Sequence, residues 1–309
     1  MGSGPVDASR SQPESRAQVV PAQGISAVLP AYNEEALIER AVRRTAGVLG
    51  SLTRDFEVIV VNDGSMDQTG MILKRLARTE PSLRLRVVTH PVNQGYGAAV
   101  AAGFDAATRD LIFMTDGDEQ FDVRELGRFV ETLDPATDLV IGWRRRRADP
   151  PMRLFNAWAW GLLVNGLFGY TARDVDCAFK LIRRPVWQRV AVRARGATFS
   201  AELLVKARRL GFRVKERPVS HFPRAAGSAT GARLDVIVRA FGELFKLRLR
   251  LDRELSQDHR SEPARSELRV GRPRGAGGSS PVSVHLRTIA PARDPERAAG
   301  ALTSEASRA

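Results

Sequence analysis

The chain has 309 residues, a single cysteine and a formal net charge of +13 at pH 7. This length suffices for a full hydrophobic core, and it favours one large domain with appendages over two equal domains. A single cysteine excludes an intramolecular disulfide and indicates a reducing compartment. The charge surplus, carried mostly by arginine, favours phosphate-bearing partners such as nucleotides, anionic lipids or nucleic acid.

The N-terminal segment, residues 1–24, is rich in Ser, Pro, Gln and Gly and is predicted to be disordered. No hydrophobic segment follows the start, so we expect no secretory signal.

From Ile25 onward, short apolar strand patterns alternate with helical patterns. Strands are predicted at Ile25–Leu29, Glu57–Val61, Leu85–Thr89, Leu111–Thr115, Leu139–Ile141 and Phe212–Pro218. Such alternation predicts an α/β fold with a mostly parallel sheet covered by helices.

Helix-start signals follow two of these strands. Asn33 is predicted to cap a helix whose first turn carries Glu34 and Glu35. Ser65 and Gln68 form a capping-box pattern at the start of the next helix. Further helices are predicted in the Ala-rich segment that ends near Thr108 and from about Val123 to Leu133.

Polar loops follow the strand ends and are expected to converge on one crevice at the edge of the sheet. These loops are Pro30 to Glu34, Asn62 to Ser65, Asn93 to Gly97 and Asp116 to Gln120. Gly95 and Gly97 allow close backbone approach to a ligand, but Val100 stands where a dinucleotide fingerprint needs a third glycine. There is also no Walker loop, so dinucleotide and P-loop enzymes are disfavoured.

Two carboxylates flank a glycine in Asp116-Gly117-Asp118, and Gln120 follows closely. No basic side chain stands within this loop to neutralise them, so a hard divalent cation with oxygen ligands is the natural partner. The alternative is an Asp-Gly turn that caps the next helix. The neighbouring loop motifs favour the metal site.

Four motifs in this order resemble the family 2 glycosyltransferases of the GT-A fold, and among them the polyprenyl-phosphate hexosyltransferases typified by dolichol-phosphate mannose synthase. The motifs are Val28-Leu-Pro-Ala-Tyr-Asn-Glu-Glu35, Val60-Val-Asn-Asp-Gly-Ser65, Asn93-Gln-Gly-Tyr-Gly-Ala98 and Asp116-Gly-Asp118. The resemblance covers roughly residues 25–231, and four ordered motifs are far more specific than any one of them.

The resemblance implies two sets of binding residues at the crevice. The nucleotide would be held by Pro30, Tyr32, Glu34, Asp63, Asn93, Gly95 and Asp116. A metal ion, Mg²⁺ or Mn²⁺, and the sugar-linked diphosphate would be held by Asp116, Asp118 and Gln120. Phe121-Asp122-Val123 replaces the prolines that usually follow this motif, which leaves the path of the loop open.

The second half is expected to bind the acceptor. Gly142-Trp143-Arg144 closes the fifth strand and resembles the family's Gly-Ser-Arg, whereas Arg145 to Arg147 read as a solvated charge run. Arg153 precedes an uncharged segment, Leu154 to Ala172, which contains tryptophans. This segment is predicted to form helices in the membrane interface with the tryptophans as anchors. The alternative is an ordinary core helical hairpin.

Further residues are assigned by resemblance to the donor sugar and the phosphates. Asp174 or Asp176 would contact the sugar hydroxyls, although either is also a possible helix cap, and Glu202 would be a sugar-facing acid. Arg224, in a hinge-like loop, would reach the phosphates, whereas His221 reads first as a structural histidine.

The C-terminal region divides into a helix and a tail. Residues 232–251 are predicted to form a basic amphipathic helix, suited to an anionic membrane surface or a partner helix. The alternation of leucine and arginine up to Leu251 breaks the helical period and has no assignment. Residues 252–309 are charged and rich in Gly, Ser and Pro, and are predicted to be disordered.

The resemblance thus implies an inverting, metal-dependent transfer of a hexose, mannose or glucose, from a GDP- or UDP-sugar to polyprenyl phosphate. The catalytic residues would be Asp118, Arg144, Arg153, Arg224, Glu202, Asp174 and Asp176. We expect a peripheral protein at the cytoplasmic face of the membrane, with a membrane-anchoring protein as a possible partner.

Two other functions are compatible with parts of the sequence. The same fold can act on a sugar hydroxyl, which requires a general base such as Asp174, Asp176 or Glu202. A nucleic-acid-binding protein is supported by net charge alone, and no nucleic-acid-binding motif is found, so no nucleic-acid partner is expected.

Overall fold

The computed structural model describes residues 23–145, 151–224, 241–251 and 253. Its strands are β1 (Ile25–Ala31), β2 (Phe56–Asp63), β3 (Leu85–His90), β4 (Leu111–Met114), β5 (Leu139–Arg144), β6 (Lys180–Arg183) and β7 (Val214–Val219). Its helices are α1 (Ile38–Leu52), α2 (Thr69–Thr79), α3 (Tyr96–Ala106), α4 (Leu126–Thr132), α5 (Pro151–Phe168), α6 (Arg184–Val190), α7 (Phe199–Arg209) and α8 (residues 241–251). Short 3₁₀ turns lie at Pro81–Leu83 and Val123–Glu125.

All the described strands form one sheet in the order β3-β2-β1-β4-β6-β5-β7. Neighbouring strands run parallel except at β6, which is antiparallel to both β4 and β5. The carboxyl ends of the parallel strands and the start of β6 therefore meet at a single edge. The prediction of an α/β fold with a mostly parallel sheet is confirmed.

The sheet centre is buried on both faces, as the continuous apolar runs of its strands require. Every residue of β2 and β4 is buried, and only Pro30 of β1 is partly exposed. Helix α3 packs closely on this layer because it consists largely of alanine and glycine. At Gly103, an added Cβ atom would lie 2.3 Å from Cγ1 of Val28 and 3.1 Å from Cγ2 of Val61.

Both predicted helix caps are wrong, because the cap residues bind each other across two loops. Helix α1 begins at Ile38, and Asn33 adopts a positive φ of 55° before it. The Asn33 N–H donates to Oγ of Ser65 (3.0 Å), and Oδ1 of Asn33 accepts from the N–H of Met66 (2.9 Å). Helix α2 begins at Thr69 with no side-chain cap from Gln68. These residues brace the loops after β1 and β2 instead.

The second half of the fold differs from the prediction in three elements. The segment expected to form several helices or a hairpin is one helix, α5. Strand β6 and helix α6 were not predicted. The predicted disordered segments, apart from residues 23, 24 and 253, lie outside the described residues, as do residues 232–240 of the predicted C-terminal helix.

Residues 241–251 are helical and form α8, and the leucine-arginine alternation, which had no assignment from the sequence, belongs to this helix. Its apolar side faces the domain, since Leu244, Leu247 and Leu251 are buried. Phe245 and Leu249 lie on its exposed side. The expectation that the apolar face of this helix rests on a membrane or a partner is therefore wrong for the three buried leucines.

The close packing of α3 can be tested with two identical substitutions. Gly103→Ala should lower the free energy of unfolding by about 1–3 kcal/mol, because the added methyl group overlaps the branched side chain of Val28. Gly47→Ala is the matched control, since no atom lies within 4 Å of the added Cβ atom in α1. It should stabilise by up to about 1 kcal/mol through helix propensity. Urea denaturation measures both, and equal effects would contradict this packing.

Candidate functional site

The predicted site residues are distributed around one edge of the sheet. The loops after β1, β3 and β4 carry Glu34, Asn93 and Asp116, while Asp63 and Arg144 are the last residues of β2 and β5. Asp174 and Asp176 lie in the segment before β6, and Arg224 follows β7. The strand directions bring both segments to the same edge. This is the position at which open α/β sheets bind ligands.

Asp116 and Asp118 form a pair of acidic groups at the end of β4. Asp118 is 7% exposed, and its Oδ1 accepts from the N–H of Gln120 (3.1 Å). Asp116 is half-buried, and its Oδ1 accepts from the hydroxyl of Tyr96 (3.1 Å). Burial, followed by the negative charge of Asp118, raises the pKa of Asp116 to about 7. The electrostatic interaction between the two carboxylates disfavours full ionisation of both.

Arg224 lies against the acidic groups from the far end of the sheet. It forms a salt bridge with Glu34, and its Nη1 lies 3.7 Å from Oδ2 of Asp118. Burial raises the pKa of Glu34, and the charge of Arg224 opposes that shift. The structure therefore brings together three predicted site residues, one from each of the loops after β1, β4 and β7.

Hydrogen bonds join the residues that follow β7 to the loop after β4, which carries Asp116 and Asp118. The side chain of Gln120 donates from Nε2 to the carbonyl of Phe222 (3.1 Å), and the N–H of Phe222 donates to the carbonyl of Gln120 (2.8 Å). Phe121 forms an isolated β-bridge with His221, and their rings lie 5.3 Å apart. These contacts place Arg224 beside the carboxylates, and they agree with a structural role for His221.

Asp63 organises the loop that carries the glycines. Its carboxylate accepts from the N–H of Gln94 (2.9 Å) and of Gly95 (2.9 Å), and Nδ1 of His90 lies 2.6 Å from Oδ1. The side chain is almost fully buried. Gly95 has a positive φ of 95°, which favours glycine. Asp63 thus shapes the crevice through the backbone of residues 94 and 95.

The other predicted nucleotide residues lie around this loop. Tyr32 is half-buried, and Asn93 is exposed. Pro30 is the partly exposed residue of β1, paired in register with Val61. Tyr96 was not singled out from the sequence; its position between two glycines of the third motif was the available signal.

Arg144 and Asp174 bind each other. Nε of Arg144 donates to Oδ2 of Asp174 and Nη2 donates to Oδ1, both at 2.6 Å. Both side chains are largely buried, and the salt bridge with Asp174 raises the pKa of Arg144 despite its burial. The sequence analysis gave the two residues separate catalytic roles and did not predict that they contact each other, whereas the structure joins them in a bidentate ion pair.

Asp176 lies deeper, beside helix α5. Its Oδ1 accepts from the indole N–H of Trp160 (3.2 Å), and burial raises its pKa. Lys180, fully buried at the start of β6, donates to the carbonyls of Val175 and Cys177. Burial lowers the pKa of this lysine. These groups hold the 174–180 segment in place.

Glu202 is placed away from the surface of the crevice. It is 0% exposed, and its Oε1 lies 2.9 Å from Nζ of Lys206 and 3.0 Å from Nη2 of Arg250. Its Oε2 accepts from the N–H of Ala194 (2.7 Å). The structure does not place Glu202 as the sugar-facing acid that was expected.

The acidic pair fits a divalent cation that also binds phosphate. Among the described residues, no group of three or more His, Cys, Asp or Glu side chains could hold a metal ion alone. Mg²⁺ in phosphate-transfer sites commonly takes only one or two protein carboxylates and completes its shell with waters and substrate phosphates. Asp116 and Asp118 supply such a pair, and their mutual repulsion favours a cation.

Helix α5 has one buried and one exposed side. Trp160 and Val164 are buried, whereas Phe155, Trp158 and Leu162 are each about 60% exposed. In the part of the chain that the structure describes, no helix is both long enough and apolar enough to cross a membrane. Arg153 belongs to α5, but its side chain lies outside the described part, as do residues 146 and 147 of the arginine run.

Known proteins share this sequence pattern and this architecture. The glycosyl transferase family 2 model matches residues 26–190. An undecaprenyl-phosphate 4-deoxy-4-formamido-L-arabinose transferase of Pseudomonas aeruginosa is 30% identical over 207 residues, which span 66% of this chain and 59% of that protein. A dodecaprenyl-phosphate galacturonate synthase of Rhizobium johnstonii is 33% identical over 168 residues, spanning 54% of this chain and 49% of that protein. The chain thus spans less than two thirds of either relative.

A solved structure shares the fold. Glucosyl-3-phosphoglycerate synthase from Mycobacterium tuberculosis, in complex with Mn²⁺, UDP and glucosyl-3-phosphoglycerate, has a TM-score of 0.58 at 21% identity. The match covers 73% of this chain and 80% of that one. Such a likeness shows the fold alone, which is GT-A as predicted.

The raised pKa of Asp116 predicts a pH dependence of stability. In metal-free protein, the free energy of unfolding should fall as pH rises from 3.8 to about 7, because Asp116 ionises more readily in the unfolded chain. Asp116→Asn should remove this part of the fall, which urea denaturation across that pH range measures. Identical pH profiles for the two proteins would contradict the raised pKa of Asp116.

Proposed function

The chain belongs to glycosyl transferase family 2, and from this premise we propose that it is an enzyme that transfers a sugar from a nucleotide-sugar to the phosphate of a polyprenyl lipid. The observation that carries this proposal is the carboxylate pair of half-buried Asp116 and buried Asp118 at the ligand-binding edge of a GT-A sheet. Two relatives are named for transfer to undecaprenyl phosphate and for synthesis of dodecaprenyl-phosphate galacturonate, which supports the acceptor.

We propose a hexose, mannose or glucose, as the sugar and UDP or GDP as its carrier. The donor would lie across the loops after β1, β2 and β3, with its diphosphate toward Asp116 and Asp118. Mg²⁺ or Mn²⁺ on these carboxylates would neutralise charge on the departing nucleoside diphosphate. The two relatives are named for other sugars, so the donor screen includes arabinose and galacturonate derivatives.

The proposed reaction is an inverting displacement. A phosphate oxygen of the acceptor attacks the anomeric carbon, and the bond from that carbon to the diphosphate oxygen breaks. This oxygen is already anionic near neutral pH, so the step needs no strong general base. Arg224 is positioned to compensate phosphate charge, since it already lies beside Glu34 and Asp118. Arg153 is proposed to bind the acceptor phosphate. Arg144 is proposed to hold this side of the crevice in place through its ion pair with Asp174.

A sugar hydroxyl is a less suitable acceptor because its attack requires a general base. Asp174 is paired with Arg144, and Asp176 is buried against Trp160. Glu202 is fully buried between two cations. The three carboxylates considered for that role are thus already engaged, which supports the phosphate acceptor. The hypothesis of a nucleic-acid-binding protein rested on net charge alone, and membership of a glycosyltransferase family disfavours it.

We further propose that the protein binds peripherally to the cytoplasmic face of the membrane, directly or through an anchoring protein. Helix α5 presents Phe155, Trp158 and Leu162 to the surface. The net charge of +13 favours anionic lipid. The acceptor is a membrane lipid in this proposal, so it would arrive at the exposed side of α5, the helix that carries Arg153.

Loss of Asp118 should abolish transfer while the fold persists. Asp118→Ala removes one of the two carboxylates of the proposed cation site, whereas Asp55→Asn, a control, removes an exposed carboxylate that pairs with Arg109. Radiolabelled transfer from a panel of UDP- and GDP-sugars to a short polyprenyl phosphate is the measurement, with circular dichroism to check folding.

Wild-type activity should require added Mg²⁺ or Mn²⁺. Full turnover in excess chelator would refute the metal assignment.

The exposed face of α5 should contribute to membrane binding. Trp158→Ser should weaken flotation with anionic vesicles, because an exposed indole is lost from the membrane-facing side. Met71→Ser is the matched control, since Met71 is 65% exposed but lies on α2. Wild-type binding should also weaken as salt rises. Equal loss in both variants, or salt-independent binding, would count against this surface.

A further inference from the structure

Helix α8 is anchored to the domain by apolar contacts. Leu244, Leu247 and Leu251 are each no more than 3% exposed. The ring of Phe241 packs edge-to-face against Trp160, with centroids 5.9 Å apart. The helix is therefore an integral layer of the domain.

Two polar contacts join α8 to the segment just before and at the start of α7. Oε2 of Glu243 accepts from the hydroxyl of Thr198 (3.0 Å), and Thr198 is 2% exposed. Nη2 of Arg250 lies 3.0 Å from the fully buried carboxylate of Glu202. A buried carboxylate needs close compensation, so the Arg250 contact has a strong effect on the position of Glu202.

Glu202 in turn holds the chain that precedes α7. It accepts from the N–H of Ala194 (2.7 Å), while its partner Lys206 donates to the carbonyl of Ala191 (3.0 Å). Thr198 fixes the other end of the same stretch. The backbone of residues 191–198, here called the 191–198 segment, is thus tied to α8 through Glu243 and Arg250.

The 191–198 segment packs directly on residues Gly95–Gly97 at the start of α3, here called the glycine turn. The carbonyl of Arg195 accepts from the N–H of Ala98 (3.0 Å). An added Cβ atom at Gly97 would lie 2.7 Å from the carbonyl oxygen of Gly196, so the two backbones touch. Movement of the segment would therefore displace the turn at Gly95–Gly97.

The glycine turn carries two groups of the crevice. The N–H of Gly95 donates to Asp63 (2.9 Å), and the hydroxyl of Tyr96 donates to Asp116 (3.1 Å). Displacement of the turn would therefore change both the loop after β2 and the environment of the acidic pair.

From this chain of contacts, we infer that α8 is a positioning element of the crevice, in which Arg250 and Glu243 hold the 191–198 segment against the Gly95–Gly97 turn. The inference rests on the proposed function only in taking the ligand of that turn to be a nucleoside diphosphate. Arg250 and Glu243 are positioning residues, since they contact other protein groups and act through the turn.

The test compares Arg250→Met, Arg250→Lys and the control Leu249→Ser, which changes a 60% exposed residue of the same helix. Dissociation constants for UDP and GDP are measured with Mn²⁺ and without lipid. Amide hydrogen exchange of residues 93–97 is measured in the same samples. Arg250→Met should weaken binding of the nucleotide that wild type prefers by roughly 3- to 30-fold and speed exchange of the turn. Arg250→Lys should restore part of both, and Leu249→Ser should change neither.

Two further variants keep the inference testable if Arg250→Met fails to fold. Glu243→Gln and Thr198→Val weaken the second contact without removing a charge partner from Glu202, and both should speed exchange of residues 93–97. Normal exchange at the turn in all folded variants would overturn the inference. A wild-type protein that binds neither nucleotide would refute the proposed function instead, while exchange at the turn would still test the role of α8.

Discussion

The main electrostatic constraint on the crevice is the placement of two carboxylates, Asp116 and Asp118, at the end of β4. Burial, followed by the negative charge of Asp118, raises the pKa of Asp116 to about 7. The surrounding structure compensates with the hydroxyl of Tyr96 and, from the end of β7, with Arg224. A divalent cation with a bound diphosphate would compensate the pair more completely than these groups.

The parts of the fold set by continuous apolar runs could be predicted from the sequence. Strands β1, β2 and β4 are buried on both faces, so their position and the loops that follow them were identifiable. The caps at Asn33 and Ser65 were not, because their side chains accept from backbone N–H groups of the opposite loop instead of a helix end: Ser65 accepts from Asn33, and Asn33 accepts from Met66. Local motifs describe such residues correctly as hydrogen-bond formers, but their partners depend on tertiary structure.

In the candidate site as well, some features could be predicted from the sequence and others depend on tertiary structure. Its loops were predicted from motif order, yet the pairing of Arg144 with Asp174 and of Glu202 with Arg250 joins positions far apart in sequence. Each residue alone suits a substrate contact; only the structure shows that the charges compensate each other. Because these charges compensate each other, Asp116, Asp118 and Arg224 remain as the groups proposed to act on phosphate, with the two carboxylates acting through a bound cation.

Cooperative binding of Mn²⁺ and a nucleoside diphosphate tests the role of the carboxylate pair most directly. Mn²⁺ is titrated by electron paramagnetic resonance with and without UDP or GDP, in wild type and in Asp118→Ala. The account predicts that nucleotide and Mn²⁺ tighten each other's binding by the same factor in wild type, and that this coupling disappears in the variant. Nucleotide binding that is equally tight in chelator, or full coupling without Asp118, would contradict it.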